Sequence, residues 1–139
     1  MNDPLPTLAI RVRLRTYALN GQRLVIDPAD LARRIAAIAS DAIATDIQVL
    51  DIRELTTIAE CFVIASADNV RQLRAMGETI ARELREEGIR PDRREGIPET
   101  GWLVLDYGSV IVHLFTEDQR EHYRLEDLWS DAQRLLVIQ

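Results

Sequence analysis

The stretch Cys61-Phe62-Val63-Ile64-Ala65 is five apolar residues without a break. A strand with one face in water alternates apolar and polar side chains. An unbroken run is the pattern of a strand covered on both faces. The flanking sequence supplies helices to do the covering. After a turn at residues 66–69, Val70, Leu73, Met76/Gly77, Ile80 and Leu84 recur at helical spacing. Gly88 is placed to end that helix in the left-handed conformation. Ahead of the run, Leu31, Ile35, Ile38 and Ala42 form a second apolar stripe. Asp27 can cap that helix, Pro28 suits its first position and Asp30 its first turn.

Further strands complete the pattern. Residues 47–52 read as a strand, and residues 91–95 as a short edge strand. Trp102–Asp106 and residues 110–115 read as an antiparallel pair joined by the tight turn Tyr107-Gly108-Ser109. Residues 117–123 form a short acidic helix, and residues 125–129 a further helical turn. The order is helix, two strands, helix, two or three strands, helix. That order predicts one α/β domain over residues 28–139 with a mixed sheet packed by helices.

Residues 1–27 differ from this body. They hold four arginines and two aspartates, a charge of +2, whereas the remainder holds thirteen arginines and twenty-one acids, a charge of −8. Residues 10–15 alternate apolar and arginine side chains at the period of a half-buried strand. Asn20-Gly21 and then Leu24-Val25-Ile26 follow, which suggests a β-hairpin with a type I′ turn. A transit peptide, a flexible arm and a start codon assigned too early are the other readings of this extension.

The whole chain has 139 residues, a net charge of −6 and no lysine. A net-acidic surface argues against a protein that grips nucleic acid along its phosphates or docks on anionic lipid. No apolar run approaches the roughly 20 residues needed to span a bilayer. The N-terminal residues lack the basic and apolar regions of a secretory signal. The one cysteine, Cys61, cannot form an internal disulfide, so a reducing, cytoplasmic compartment is expected.

Catalytic patterns are missing. His113 lies in an apolar strand and His122 in an acidic helix, neither beside a nucleophile in a recognisable motif. Cys61 reads as an inert core thiol. No CxxC, HExxH or paired-histidine spacing indicates a metal site, and no Gly-rich loop cradles phosphate. A small mixed α/β domain resembles nucleotidyltransferase-like folds, whose carboxylates stand two residues apart on one strand to share Mg²⁺. Here Asp46 and Asp51 have opposite parity and Asp106 stands alone. A divalent-metal-dependent nucleotidyltransferase-like enzyme is therefore the competing class, carried by fold analogy only. Surfaces are the other option. Trp102 begins a strand, where it can be core filling or an exposed anchor, and Tyr107 sits in the adjoining turn. Aromatic residues placed this way serve as interface anchors.

The body resembles the ribosomal silencing factor family, also called RsfS or Iojap-like. The matching stretches run from Asp46-Ile47-Gln48-Val49-Leu50-Asp51 through Ile58-Ala59-Glu60-Cys61-Phe62-Val63-Ile64-Ala65-Ser66, Arg71-Gln72 and Glu95-Gly96. The strongest are Trp102-Leu103-Val104-Leu105-Asp106-Tyr107-Gly108 with Val110-Ile111-Val112-His113, and Arg120-Glu121-His122-Tyr123-Arg124-Leu125-Glu126-Asp127-Leu128-Trp129. Each is modest alone; their order and spacing over about residues 29–132 make the match specific. Glu60, Ser109 and the turn Ser66-Ala67-Asp68-Asn69 depart from the family pattern, away from Trp102 and Tyr107.

The resemblance implies a mixed five-stranded sheet and a translation repressor rather than an enzyme, with no cofactor or metal. It implies binding to the large ribosomal subunit through large-subunit protein fourteen, which blocks joining of the small subunit when nutrients are scarce. Trp102 and Tyr107 are the partner-binding residues it implies. Some members form homodimers off the ribosome. No direct sequence-specific contact with nucleic acid is expected, although the arginines at 11–15 leave open an arm reaching rRNA.

Overall fold

The computed structural model describes residues 16–19 and 23–139, with side chains from Ile26 onward. Strand β1 (Thr16–Leu19) pairs antiparallel with β2 (Arg23–Ile26) in a small two-stranded sheet. The alternating residues 10–15 and the Asn20-Gly21 turn lie outside the described residues.

Helix α1 (Pro28–Asp41) starts as its sequence demands: the Asp27 carboxylate accepts from the Ala29 N–H at 3.0 Å. Strands β3 (Thr45–Asp51) and β4 (Cys61–Ala67) follow as an antiparallel pair. Every residue of β4 is buried, as its unbroken apolar run requires. Helix α2 (Val70–Glu86) is capped by Asn69, whose side chain accepts from the Gln72 N–H at 2.8 Å, and Gly88 follows it at φ +84°. Buried Arg34 of α1 pairs with Glu87 and ties the two helices together. The chain then crosses to β5 (Arg93–Glu95), a 3₁₀ turn at Pro98–Thr100, β6 (Trp102–Asp106) and β7 (Val110–Thr116). Two short helices, α3 (Glu117–Tyr123) and α4 (Leu125–Leu128), precede β8 (Gln133–Ile138).

The main sheet has the order β5-β6-β7-β4-β3-β8. The β4–β7 pair is parallel and the other neighbours are antiparallel, so the sheet is mixed as expected. It has six strands among the described residues rather than five. The addition is β8, which closes the edge beside β3. Its pairing slips between Val49 and Leu50, so that Leu135 and Leu136 pack on the same core cluster instead of on opposite faces. A bulge at an edge erases the alternation by which a strand is read from sequence.

The two sheet faces carry separate cores. The larger cluster joins the stripes of α1 and α2 to Ile47, Val49, Val63, Ala65, Leu103, Leu105, Val112 and Leu114. The smaller one, on the other face, comprises Leu50, Ile52, Ala59, Phe62, Ile64 and Phe115, with Trp102, Ile111, Leu125 and Trp129 packed on it.

Candidate docking surface

Strand parity decides which residues of β6 reach which face. Leu103 and Leu105 point into the helix-side core, so Trp102, Val104 and Asp106 point the other way. Across the ladder, Trp102 lies opposite Phe115 and Val104 opposite His113. The half-buried Trp102 ring stacks on Phe115 (centroids 4.9 Å apart, planes 29° apart) and meets Tyr123 at 4.6 Å. Its indole Nε1–H donates to Nδ1 of His113 at 3.2 Å. On its far side His113 meets Phe62 edge-on at 4.8 Å, and Phe62 meets Trp129 at 5.2 Å. Five rings thus run in a row from Trp129 to Tyr123. His113 is 8% exposed, and burial alone pushes its imidazole down to about 4, so it is neutral near pH 7.

Two glycines shape this face at the start of β6. A Cβ on Gly96 (φ +85°) would stand 2.3 Å from the Trp102 carbonyl oxygen, so only glycine lets β5 close against the start of β6. A Cβ on Gly101 (φ +81°) would meet Gln119 Cγ at 2.5 Å and Thr116 Oγ1 at 2.8 Å. That close approach presses the entry of β6 against α3. Arg120 holds α3 down: its buried guanidinium donates to Ser66 Oγ at 2.8 Å and pairs with Glu126 at 3.0 Å. Arg124, at φ +47°, ends α3 and leaves Tyr123 over Trp102, 45% exposed. A shallow cleft results, lined by Glu95, Gly96, Thr100, Trp102, Val104 and Tyr123, with exposed Ile97 close by in sequence. An aromatic floor with a polar rim is the makeup of an interface centre.

Tyr107 is not part of this cleft. It lies five residues beyond Trp102, an odd number, and packs against the helix-side core on the opposite face. Its hydroxyl is buried with no hydrogen-bond partner among the described residues, and burial pushes it up to about 12. Sequence reasoning therefore named one residue of the aromatic surface, Trp102, and missed Tyr123, Val104 and the linking role of His113. Tyr123 stood inside a recognised motif, but only the fold of α3 over the sheet brings it to Trp102.

Cys61 is buried, and burial first of all pushes its thiol up to about 11. Asp51 is engaged by the Arg53 guanidinium at 2.7 and 3.0 Å, which holds its carboxyl below the ordinary range. Asp46 lies at the other end of β3, with φ +49°. Among the described residues, no group of three or more His, Cys, Asp or Glu is placed to hold a metal. No helix of those residues is long and apolar enough to cross a membrane.

The architecture defines an α/β domain that presents a half-exposed aromatic surface on one face of its sheet. The sequence of residues 25–138 matches the family model "Ribosomal silencing factor during starvation". A Bacillus subtilis relative named ribosomal silencing factor RsfS is 37% identical over 97 residues, which span 70% of this chain and 82% of the relative. A mouse relative, mitochondrial assembly of ribosomal large subunit protein 1, is 33% identical over 90 residues, 63% of this chain and 40% of the relative. A crystal structure of a Chromobacterium violaceum protein superposes with a TM-score of 0.72 at 27% identity, covering 75% of this chain and 87% of that one. The chain belongs to the ribosomal silencing factor family.

Proposed function

We propose that this protein binds the large ribosomal subunit through large-subunit protein fourteen and blocks joining of the small subunit when nutrients are scarce. The observation that carries the reading is the Trp102–Tyr123 surface: large rings, partly desolvated and held rigid, in a chain of this family. Rigid aromatic anchors lose little entropy on docking and commonly dominate protein–protein affinity. The mouse relative's name refers to the ribosomal large subunit, which supports that subunit as the target. The −8 charge of residues 28–139 suits the second half of the mechanism. A bound acidic body obstructs by bulk and repels the phosphates of the opposing subunit.

Tyr107 enters this reading as a separate contact at the strand end, since it shares no face with Trp102. Nucleotidyl transfer has no observation in its favour, with Asp51 engaged by Arg53 and Asp46 at the far end of the same strand. The test is a gradient assay with purified subunits. Added protein is expected to lower the joined fraction, and Trp102→Ala to abolish both that effect and co-sedimentation with large subunits. Unchanged joining at saturating protein would overturn the proposal.

A further inference from the structure

β7 reads Val110-Ile111-Val112-His113-Leu114-Phe115, and its one polar interruption is His113. The residue is 8% exposed and lies in contact with the rings of Phe62 and Trp102. An imidazole gains nothing from such a site by packing alone, and the polar atom Nε2 is buried with no partner among the described residues. What the side chain does provide is an acceptor. The indole N–H of Trp102 can only donate, and of the other rings around it Phe115 stacks against it while Tyr123 meets it at a tilt of 48°. The acceptor is Nδ1 of His113, 3.2 Å away. Since Nδ1 accepts, the neutral ring carries its proton on Nε2, and the tautomer is fixed by the tryptophan.

We infer that His113 is a positioning residue of the docking surface: by accepting the Trp102 indole N–H it fixes which face of that ring is offered to the partner. The inference deepens the docking reading above and rests on it. The hydrogen bond turns the polar edge of the indole inward, toward β7. Ring contact with Phe115 and Tyr123 leaves rotation about the side-chain bonds open, because a π-face accepts several ring orientations. With the bond lost, the N–H seeks water or a partner group and the ring turns with it. The surface must then be reordered on every binding event, which lowers affinity without removing any contact residue.

Two variants separate this from a packing role. His113→Phe keeps an aromatic ring and removes the acceptor. His113→Asn places an amide oxygen near the former Nδ1 position and restores an acceptor at lower volume. With ¹⁵N labelling, the two tryptophans give two indole N–H resonances, which Trp129→Phe assigns. In His113→Phe the Trp102 indole proton is expected to shift upfield, and affinity for isolated large ribosomal subunits to fall about tenfold, the equivalent of one hydrogen bond. In His113→Asn both should return toward the unmodified values, although this variant packs less well and melts lower. A shifted indole resonance with unchanged subunit affinity overturns the inference, as does an indole resonance that stays in place in His113→Phe. Failure of His113→Asn to restore either readout also overturns it, because packing rather than the acceptor would then be at work. Trp102→Ala at full affinity would remove the docking reading and this inference with it. Lost affinity in Trp102→Ala beside full affinity in His113→Phe removes this inference alone.

Discussion

Behind the sheet, Leu73, Met76, Ile80 and Leu84 of α2 and Leu31, Ile35 and Ile38 of α1 interlock with strand residues that water does not reach. In front, Phe115 and Phe62 are also buried, but the rings packed against them, Trp102 and Trp129, are only partly covered, and Tyr123 is exposed. One face is aliphatic and sealed by two long helices; the other is aromatic and left half open by two short ones. Aliphatic side chains pack densely but offer a partner little when exposed. Aromatic side chains stabilise a fold through one ring face and can bind through the other. The division assigns stability mainly to the helix side and recognition to the aromatic side.

The largest effect should come from the sealed face. Ile80 is fully buried against the sheet, and Ile80→Ala should lower the unfolding free energy by about 2–5 kcal/mol in denaturant titration. A loss below about 1 kcal/mol would mean that this core collapses around the cavity and that the two faces are less distinct than their packing indicates.

A somewhat smaller effect is expected in front, from the histidine that the aromatic face encloses. Burial lowers the His113 imidazole from its ordinary 6.5 to about 4. Between those values the unfolded chain binds a proton that the folded chain does not. Stability contributed by this group is therefore complete above pH 6.5 and is lost as pH falls toward 4. At 1.36 kcal/mol per pH unit the loss is about 3 kcal/mol. His113→Phe does not titrate, so its stability should be flatter than that of the unmodified protein by this amount over the same window. Carboxylates such as Asp51 titrate in both proteins and cancel in the difference. Parallel stability curves would show that the imidazole is reached by water and that the front face is looser than its ring contacts suggest.

The sealed face was also the more legible one in the sequence. Periodic apolar residues at 31–42 and 70–84 and the unbroken run at 61–65 specify helices and a covered strand by local pattern alone. The β6–β7 pair followed from its short Gly-containing turn. β8 escaped because its bulge puts Leu135 and Leu136 on one cluster and its outer side is exposed. The aromatic face was half legible. Trp102 stands out as a tryptophan at a strand start, and the odd spacing between positions 102 and 107 already separates Tyr107 from it on a strand. Tyr123 and Trp102 are 21 positions apart and meet only because Arg120 pins α3 across β4 through Ser66. No local pattern encodes that contact.

Tyr107 is the sharpest test of the division, because it was paired with Trp102 in sequence and lies behind the sheet in the fold. Its ring packs on the helix-side core while its hydroxyl is buried without a partner among the described residues. An unpaired buried hydroxyl costs desolvation and returns no hydrogen bond, so removing the oxygen alone should be neutral or stabilising by up to about 1 kcal/mol. Tyr107→Phe is thus expected to melt at or slightly above the unmodified protein and to bind isolated large subunits with unchanged affinity. A fall in affinity beyond about threefold, with stability intact, would mean that the hydroxyl is drawn out to the partner on binding. The Tyr107 contact would then be a polar one rather than a touch of its ring edge, and recognition would no longer rest mainly on the aromatic side. Because the change is a single oxygen, it leaves the ring in the core and cannot be confused with damage to the sealed face.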